Sequence, residues 1–165
     1  MGKGRWTYLA MALSQDKLDY LACSNIPAPE EYECISSEDE RYNCLAWAVG
    51  IDSVVWIPNR LQGMRGLYWP IRSSSLKEAE VVEAYNAVGF VRCDGPDLQD
   101  GKEKIALFFD EDGDIIHAAW QRKTGVWSSK LSTWEDVDHA NPALFEGLRY
   151  GRIRVFMVRD RVRFD

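Results

Sequence analysis

Cys44 and His117 are the residues whose types and placement could carry covalent chemistry. Asn43 is a good helix N-cap and Gly50 a ready helix stop, so the sequence predicts that Cys44 lies in the first turn of a short helix. The dipole and the free N–H groups of a helix start favour a thiolate there. A neighbouring imidazole can take the thiol proton and pass it to a leaving group. This order predicts a cysteine nucleophile with His117 as its base.

A base of this kind needs a third polar group to orient its ring. The predicted strand that carries His117 turns near residues 123–125, which brings the next predicted strand beside it. Ser129 or Ser128 is then available to hold the imidazole, with Gln121 as an alternative on the same strand as His117.

Two tryptophans next to prolines are candidates for substrate binding. Trp56 and Trp69 lie in the aromatic stretch after the Cys44 helix, and we expect them to line a groove for a peptide or a sugar-linked peptide. Asn43 and Gln121 are also expected to contact the substrate. His139 follows Val137 and Asp138 in an apparent helix, and we interpret it as a surface residue or a charge at a helix C-terminus.

The elements that position these residues follow from capping signals and periodicity. Predicted helices cover 14–21, 43–50 and 76–88, the last opened by a Ser75-x-x-Glu78 capping box, and two more helices are expected to start at Thr133 and at Asn141-Pro142. Predicted strands cover 104–109, 115–121, 126–131 and 153–158, while 25–41 is expected to be irregular and 54–70 a structured loop. The predicted class is α+β with an antiparallel sheet, in one domain over 1–165. Within it, 1–40 forms a helix and an acidic connection, and 41–160 a catalytic-like core.

Composition restricts the classes of partner. The chain has 165 residues, 46% of them apolar, with 20 basic and 26 acidic side chains and a net charge of −6. Six arginines against two aspartates give the stretch from 149 to 165 a charge of +4, which leaves −10 on residues 1–148. We interpret this basic tail and the acidic stretches 30–40 and 94–114 as solvated surface. The balance argues against a nucleic-acid partner, and no apolar run reaches the length of a membrane span.

The cysteines and histidines show no metal-binding spacing. The four cysteines, at 23, 34, 44 and 93, lack a C-x₂-C pair, and neither histidine has a paired ligand at zinc spacing. We expect no metal and no cofactor. Cys23, Cys34 and Cys93 are interpreted as buried small hydrophobes, and all four as reduced thiols. The apolar stretch in 6–13 is short for a secretory signal, so we expect a cytoplasmic protein.

Several short motifs resemble those of an uncharacterised bacterial domain family. They occur in the order Asn43-Cys44-Leu-Ala-Trp-Ala, Glu103-Lys-Ile-Ala, His117-Ala-Ala-x-Gln, Trp127-x-Ser-Lys-Leu, His139 and Glu146-Gly-x-x-Tyr-Gly, across about residues 30–160. More distantly, the cysteine helix followed by the histidine strand resembles the papain-like superfamily in its minimal NlpC/P60 form. That resemblance implies a Cys-bearing helix packed on an antiparallel sheet. It also implies Cys44 as nucleophile, His117 as base and Ser129 as third residue.

The sequence therefore leads to two functional hypotheses from different classes. The first is a cysteine hydrolase or transferase, such as a peptidase, amidase or deamidase, that acts on an amide or ester of a peptide or protein substrate. The alternative is a non-catalytic domain of the same fold that binds a protein partner through the aromatic loop and an acidic face. The hydrolase hypothesis requires contact between the Cys44 thiol and the His117 ring, whereas the binding-domain hypothesis does not.

Overall fold

A seven-stranded antiparallel sheet forms the centre of the molecule. The computed structural model describes residues 12–21, 27–58 and 64–164. In the sheet the strands lie in the order β1-β8-β7-β6-β5-β9-β4. The strands are β1 Tyr32–Cys34, β4 Val91–Cys93, β5 Lys102–Phe109, β6 Ile115–Gln121, β7 Trp127–Lys130, β8 Asp136–His139 and β9 Arg152–Asp160. A separate parallel pair contains β2 Val55–Trp56 and β3 Leu67–Tyr68.

The sequence predicted the middle of this sheet correctly. Strands β5, β6, β7 and β9 form within two residues of their predicted bounds. The two tight turns of the meander contain Gly113 and Gly125 with φ of +82° and +89°, conformations that favour glycine. The long strand β9 returns from the end of the chain to pair with β5 from Lys102 to Phe109.

The outer strands were not predicted. Residues 136–139 form β8, and 142–145 form turns, so the helix starts expected at Thr133 and at Asn141-Pro142 are wrong. Strand β8 pairs with β7 on one side and with β1 on the other. The stretch 54–70, expected to be a loop, contributes β2 and β3.

Three short helices accompany the sheet in the described ranges: α1 Gln15–Leu21, α2 Cys44–Trp47 and α3 Glu78–Asn86, with a 3-10 turn at Pro29–Glu31. The helix predicted at 14–21 is confirmed. Asn43 caps α2 as expected, because its side-chain oxygen accepts from the Ala46 N–H, but α2 is only one turn long. The helix predicted at 76–88 is confirmed in its body, whereas the capping box is wrong, since its N-cap is Lys77 without a side-chain cap bond.

Both faces of the sheet are covered. We call the face that carries α2 and α3 the α2–α3 face; Ala118 and Trp120 of β6 point into its core together with Cys44. We call the opposite face the α1 face; it contains two apolar clusters, one around Leu18 and Leu21 of α1 and one around Ala119 of β6. Because successive side chains of a strand point to opposite faces, residues adjacent in sequence on β6 belong to different cores.

The predicted papain-like, NlpC/P60-type fold is wrong. The structure is a broad, mostly antiparallel sheet of seven strands with few and short helices. Cys44 lies on α2, a single helical turn of four residues, and not on a long helix that spans the sheet. The sequence signal was a good N-cap at Asn43 followed by a glycine stop seven residues later, which limits a helix to fewer than two turns.

The basic tail is a solvated surface only in part, since Arg149, Arg152 and Arg154 are exposed whereas Arg159 and Arg163 are largely buried. Arg159 is mostly buried, and its guanidinium binds the buried Glu103 carboxylate at 2.5 Å from Nε to Oε1. Arg163 lies 3.3 Å from the other carboxylate oxygen and donates to the carbonyls of Trp47 and Ala48 at the end of α2. These arginines fix the C-terminal strand to α2 instead of facing water.

Candidate functional site

The structure does not bring Cys44 and His117 together. The Cys44 Sγ atom lies 4.0 Å from the Ile116 carbonyl oxygen, on the α2–α3 face of β6. His117 points to the α1 face, where its ring contacts Phe108 and Tyr150. The backbone of β6 therefore lies between the thiol and the imidazole. Proton transfer needs donor and acceptor within hydrogen-bond reach, and this arrangement does not supply it.

The surroundings of Cys44 favour the thiol form. The residue is 8% exposed, and burial raises the pKa of its thiol to about 11, although the backbone of Ala118 on β6 and, after it, backbone N–H groups at the start of α2 lower it. The helix-start effect predicted from Asn43 is thus present but smaller than the effect of desolvation. At neutral pH Cys44 is an apolar packing residue of the α2–α3 face.

His117 instead belongs to a buried chain of hydrogen bonds that crosses three strands. Its Nε2 lies 3.2 Å from Ser129 Oγ on β7, and the same oxygen lies 2.9 Å from Nε2 of His139 on β8. His139 Nδ1 lies 2.7 Å from the carbonyl oxygen of Asn141. The structure therefore joins both histidines of the chain through one serine hydroxyl. We call these three side chains the His–Ser–His relay.

The Asn141 carbonyl fixes the direction of every hydrogen bond in the relay. A carbonyl only accepts, so His139 Nδ1 carries the proton and its Nε2 is a bare acceptor. The Ser129 hydroxyl then donates to His139 Nε2, and Ser129 Oγ accepts from His117 Nε2–H. This order leaves His117 Nδ1 without a proton, and it is buried without a hydrogen-bond partner among the described residues.

Burial keeps the relay neutral. Desolvation lowers the pKa of His117 to about 3, with a smaller contribution from His139. Desolvation also lowers the pKa of His139 to about 4, opposed by the hydrogen bond to Asn141. Both imidazoles are almost completely buried, so at neutral pH the relay is an uncharged set of hydrogen bonds that joins β6, β7 and β8.

The residues expected to bind substrate have structural roles. Trp56 and Trp69 are both buried and pack edge-to-face, so they do not line an open groove. The Asn43 side chain accepts from the Trp56 N–H and donates to the Trp56 carbonyl, in addition to capping α2. Gln121 is buried and donates to the Pro96 carbonyl at 2.7 Å.

Sequence reasoning missed two buried polar groups. His139, expected on the surface, is buried on β8; the alternation of Asp136-Val137-Asp138-His139 after a turn was the available signal for a strand. On the α2–α3 face, buried Lys130 lies 3.8 Å from Asp136 Oδ1, and Asp136 Oδ2 accepts from the Tyr42 hydroxyl at 2.7 Å.

Burial shifts the pKa values of Lys130 and Asp136 in opposite directions. Desolvation lowers the pKa of Lys130, while desolvation raises the pKa of Asp136 against the hydrogen bond from Tyr42. Lys130 Nζ also lies over the Tyr42 ring at 4.5 Å and donates to the Trp134 carbonyl. No local sequence signal identifies this cluster, because its members come together only in the sheet. Among the described residues no three metal-ligating side chains converge.

Fold and site together define an antiparallel sheet protein with a buried polar network on each face. Within 12–21, 27–58 and 64–164, Cys44 and His117 lie on opposite faces of β6 and do not form a centre. Of the comparisons with known proteins, the one with family models gives a match, to a family without an assigned activity. Residues 33–158 match a family model described as a domain of unknown function (DUF7689), and the chain belongs to that family. No curated protein and no solved structure matches it. Within the described residues, no helix is both long and apolar enough to cross a membrane.

Proposed function

We propose that this domain binds a protein partner through the surface formed by β2 and β3. The observation that carries the proposal is a group of exposed apolar side chains there: Ile57 is 40% exposed, Tyr68 48% and Met64 51%. The Ile57 N–H donates to the Tyr68 carbonyl, and the Leu67 N–H donates to the Met64 carbonyl, so the three belong to one unit. We call them the β2–β3 surface. Large apolar side chains grouped in this way are typical of interaction sites.

The β2–β3 surface is held on a rigid base. Trp56 is fully buried directly beneath it, and its ring contacts those of Tyr68, Trp69 and Tyr85. Asn43 binds both backbone polar groups of Trp56 at 2.7 and 3.1 Å. A preformed surface loses little conformational entropy on binding, which favours affinity.

Charge indicates the chemistry of the partner. Residues 53–77 contain three arginines and one lysine and no acidic residue, in a chain whose net charge is −6. Arg65 and Arg72, on either side of β3, are exposed. The partner that complements this stretch is a peptide segment or protein surface with large apolar side chains flanked by Asp or Glu.

Selection from a displayed library of random peptides tests this function. We expect the selected peptides to combine aromatic or aliphatic residues with acidic ones, and Tyr68→Ser to weaken their binding at least about tenfold. Leu148→Ser is the matched control, because Leu148 is an exposed apolar residue elsewhere on the chain. A library that yields no binder, or binders that lose equal affinity with both variants, would contradict the proposal.

The hydrolase hypothesis makes a different prediction for Cys44, and alkylation separates the two. Since burial holds the Cys44 thiol protonated, we expect iodoacetamide at pH 7 to modify it more slowly than the half-buried Cys93. His117→Phe should leave the Cys44 rate unchanged while the protein stays folded. Fast labelling of Cys44 that collapses in His117→Phe would restore the cysteine–histidine enzyme. Mass spectrometry of the labelled peptides gives each rate.

The state of the cysteines supports a cytoplasmic location as part of this proposal. Cys34, Cys44 and Cys93 are free thiols. Exported domains of this size commonly stabilise themselves with disulfides, whereas reduced thiols persist in the cytosol. The binding function proposed here needs neither a metal nor a cofactor.

A further inference from the structure

The His–Ser–His relay fastens a surface segment to the sheet. Residues 141–151 leave the end of β8, cross the α1 face and enter β9. Three contacts attach this segment to the two histidines. The Asn141 carbonyl accepts from His139, the Phe145 ring meets the His139 ring edge-on at 5.1 Å, and the Tyr150 ring stacks on His117 at 4.3 Å.

The relay has no place for an additional proton. A proton on His139 Nε2 would direct two N–H donors at the single Ser129 oxygen, and the serine hydrogen would lose its acceptor. A proton on His117 Nδ1 would create a buried N–H without an acceptor among the described residues. Either proton also places a positive charge in an apolar core, which is costly without a counter-ion.

In the part of the chain that the structure describes, no carboxylate is bonded to either histidine to compensate such a charge. Among the described residues, two tyrosines pack beside the relay: Tyr150 of the covering segment, whose ring stacks on His117, and Tyr32, which is paired with His139 across β1 and β8 and whose hydroxyl accepts from the Leu13 N–H. Glu146 of the covering segment accepts from the Ile153 N–H instead. Strands β5 and β7 present Phe108 and Ser129 to the imidazoles.

The geometry points to an acid-sensitive latch in which protonation of His117 and His139 releases residues 141–151 from the α1 face while the rest of the sheet stays folded. Release uncovers the apolar side chains that this segment now buries, among them Leu131 and Val137. The device is separate from the β2–β3 surface, which belongs to the part of the chain packed on the α2–α3 face.

The sign of the pH dependence follows from the proton balance. In the closed form the pKa values of His117 and His139 lie below the 6.5 of an ordinary histidine, so the open form binds more protons as the pH falls below 6.5. Acid therefore favours the open form, until the closed-form pKa values near 4 and 3 are reached. At pH 5 each freed histidine shifts the opening equilibrium by up to roughly 30-fold.

Hydrogen exchange at several pH values tests the latch. After correction for intrinsic exchange rates, we expect protection of 141–151 to fall at least about tenfold between pH 7 and pH 5, while β5 and α3 keep theirs. His117→Phe with His139→Gln should abolish this difference, because the phenyl ring keeps the stacking and the amide can still donate to Asn141. Glu146→Gln is the matched control and should retain the response, since its amide oxygen can still accept from Ile153.

An NMR titration of the two imidazoles in the unmodified protein keeps the test decisive if the double variant does not fold. Both rings should stay neutral while the segment is protected and gain protons over the pH range in which protection is lost. Imidazoles that titrate with the segment still closed would overturn the latch. Uniform loss of protection along the whole chain, or a response equally removed by Glu146→Gln, would overturn it too.

Discussion

Replacing Glu103 with glutamine is expected to lower the free energy of unfolding by about 3 kcal/mol, the typical effect of removing one partner from a buried ion pair. Glu103 is fully buried, and both Arg159 and Arg163 contact its carboxylate. Glutamine keeps the shape but leaves two largely buried guanidinium groups without the negative charge that compensates them. Urea unfolding followed by tryptophan fluorescence measures the change, and the melting temperature should drop by roughly 6–12 °C.

A second ion pair between β5 and β9 provides the control for the Glu103→Gln variant. Lys102 and Asp160 form an ion pair at 2.5 Å, also between β5 and β9, but Asp160 is largely exposed to solvent. Asp160→Asn should leave the urea midpoint almost unchanged, since exposed pairs contribute little. If Glu103→Gln and Asp160→Asn behave alike, Arg159 and Arg163 do not depend on the charge of Glu103.

Replacing Gly151 with alanine is expected to destabilise the protein by about 3 kcal/mol or more. Gly151 has a φ of +64°, and a Cβ atom there would overlap the Phe109 carbonyl and lie 3.0 Å from the Asp110 nitrogen. The obstacle is backbone, so the start of β9 must shift away from β5. Such overpacking costs about 1–3 kcal/mol, in addition to about 1–2 kcal/mol for the left-handed conformation.

Gly101 provides the matched comparison for this clash. Its φ of +68° is nearly the same, yet a Cβ atom there would meet nothing within 4 Å. Gly101→Ala should therefore cost only about 1 kcal/mol, from the backbone conformation alone. Thermal unfolding of both variants separates the two contributions; equal losses would show that the contact with Phe109 is unimportant.

Local signals were sufficient for the meander. Strands β5, β6 and β7 are continuous apolar or alternating runs separated by turns with glycine, and both the residue pattern and the turn chemistry favour hairpins. The cap of α2 and the body of α3 were predictable for the same reason, because each depends on residues within a few positions of one another.

The sequence did not show that Cys44 and His117 lie on opposite faces of β6. The sequence placed Cys44 before β6 and His117 on it, but whether a helix packs on the even or the odd residues of a strand is decided by the whole core. Ala118 and Ala119 are both small, so neither marks the side that α2 covers. Strand β8 was not predicted because Thr133 and Asp136 fit a helix start. Only the pairing with β7 and β1 makes this segment a strand.

Strand β7 presents polar side chains to both faces of the sheet, and these side chains restrict the register in which it can pair. Ser129 joins the two histidines, while the adjacent Ser128 accepts from Trp47 Nε1 on the other face. A slip of β7 by one residue would bring only one of the two serines into the place of the other, with Lys130 or Trp127 in the vacated place, so one of the two networks would lose its hydroxyl. The slip would also move the Lys130 ammonium away from Asp136 and onto the apolar α1 face. The ion pair of Lys130 with Asp136 therefore specifies the register of β7, because it makes the observed alignment far more stable than one shifted by a single residue.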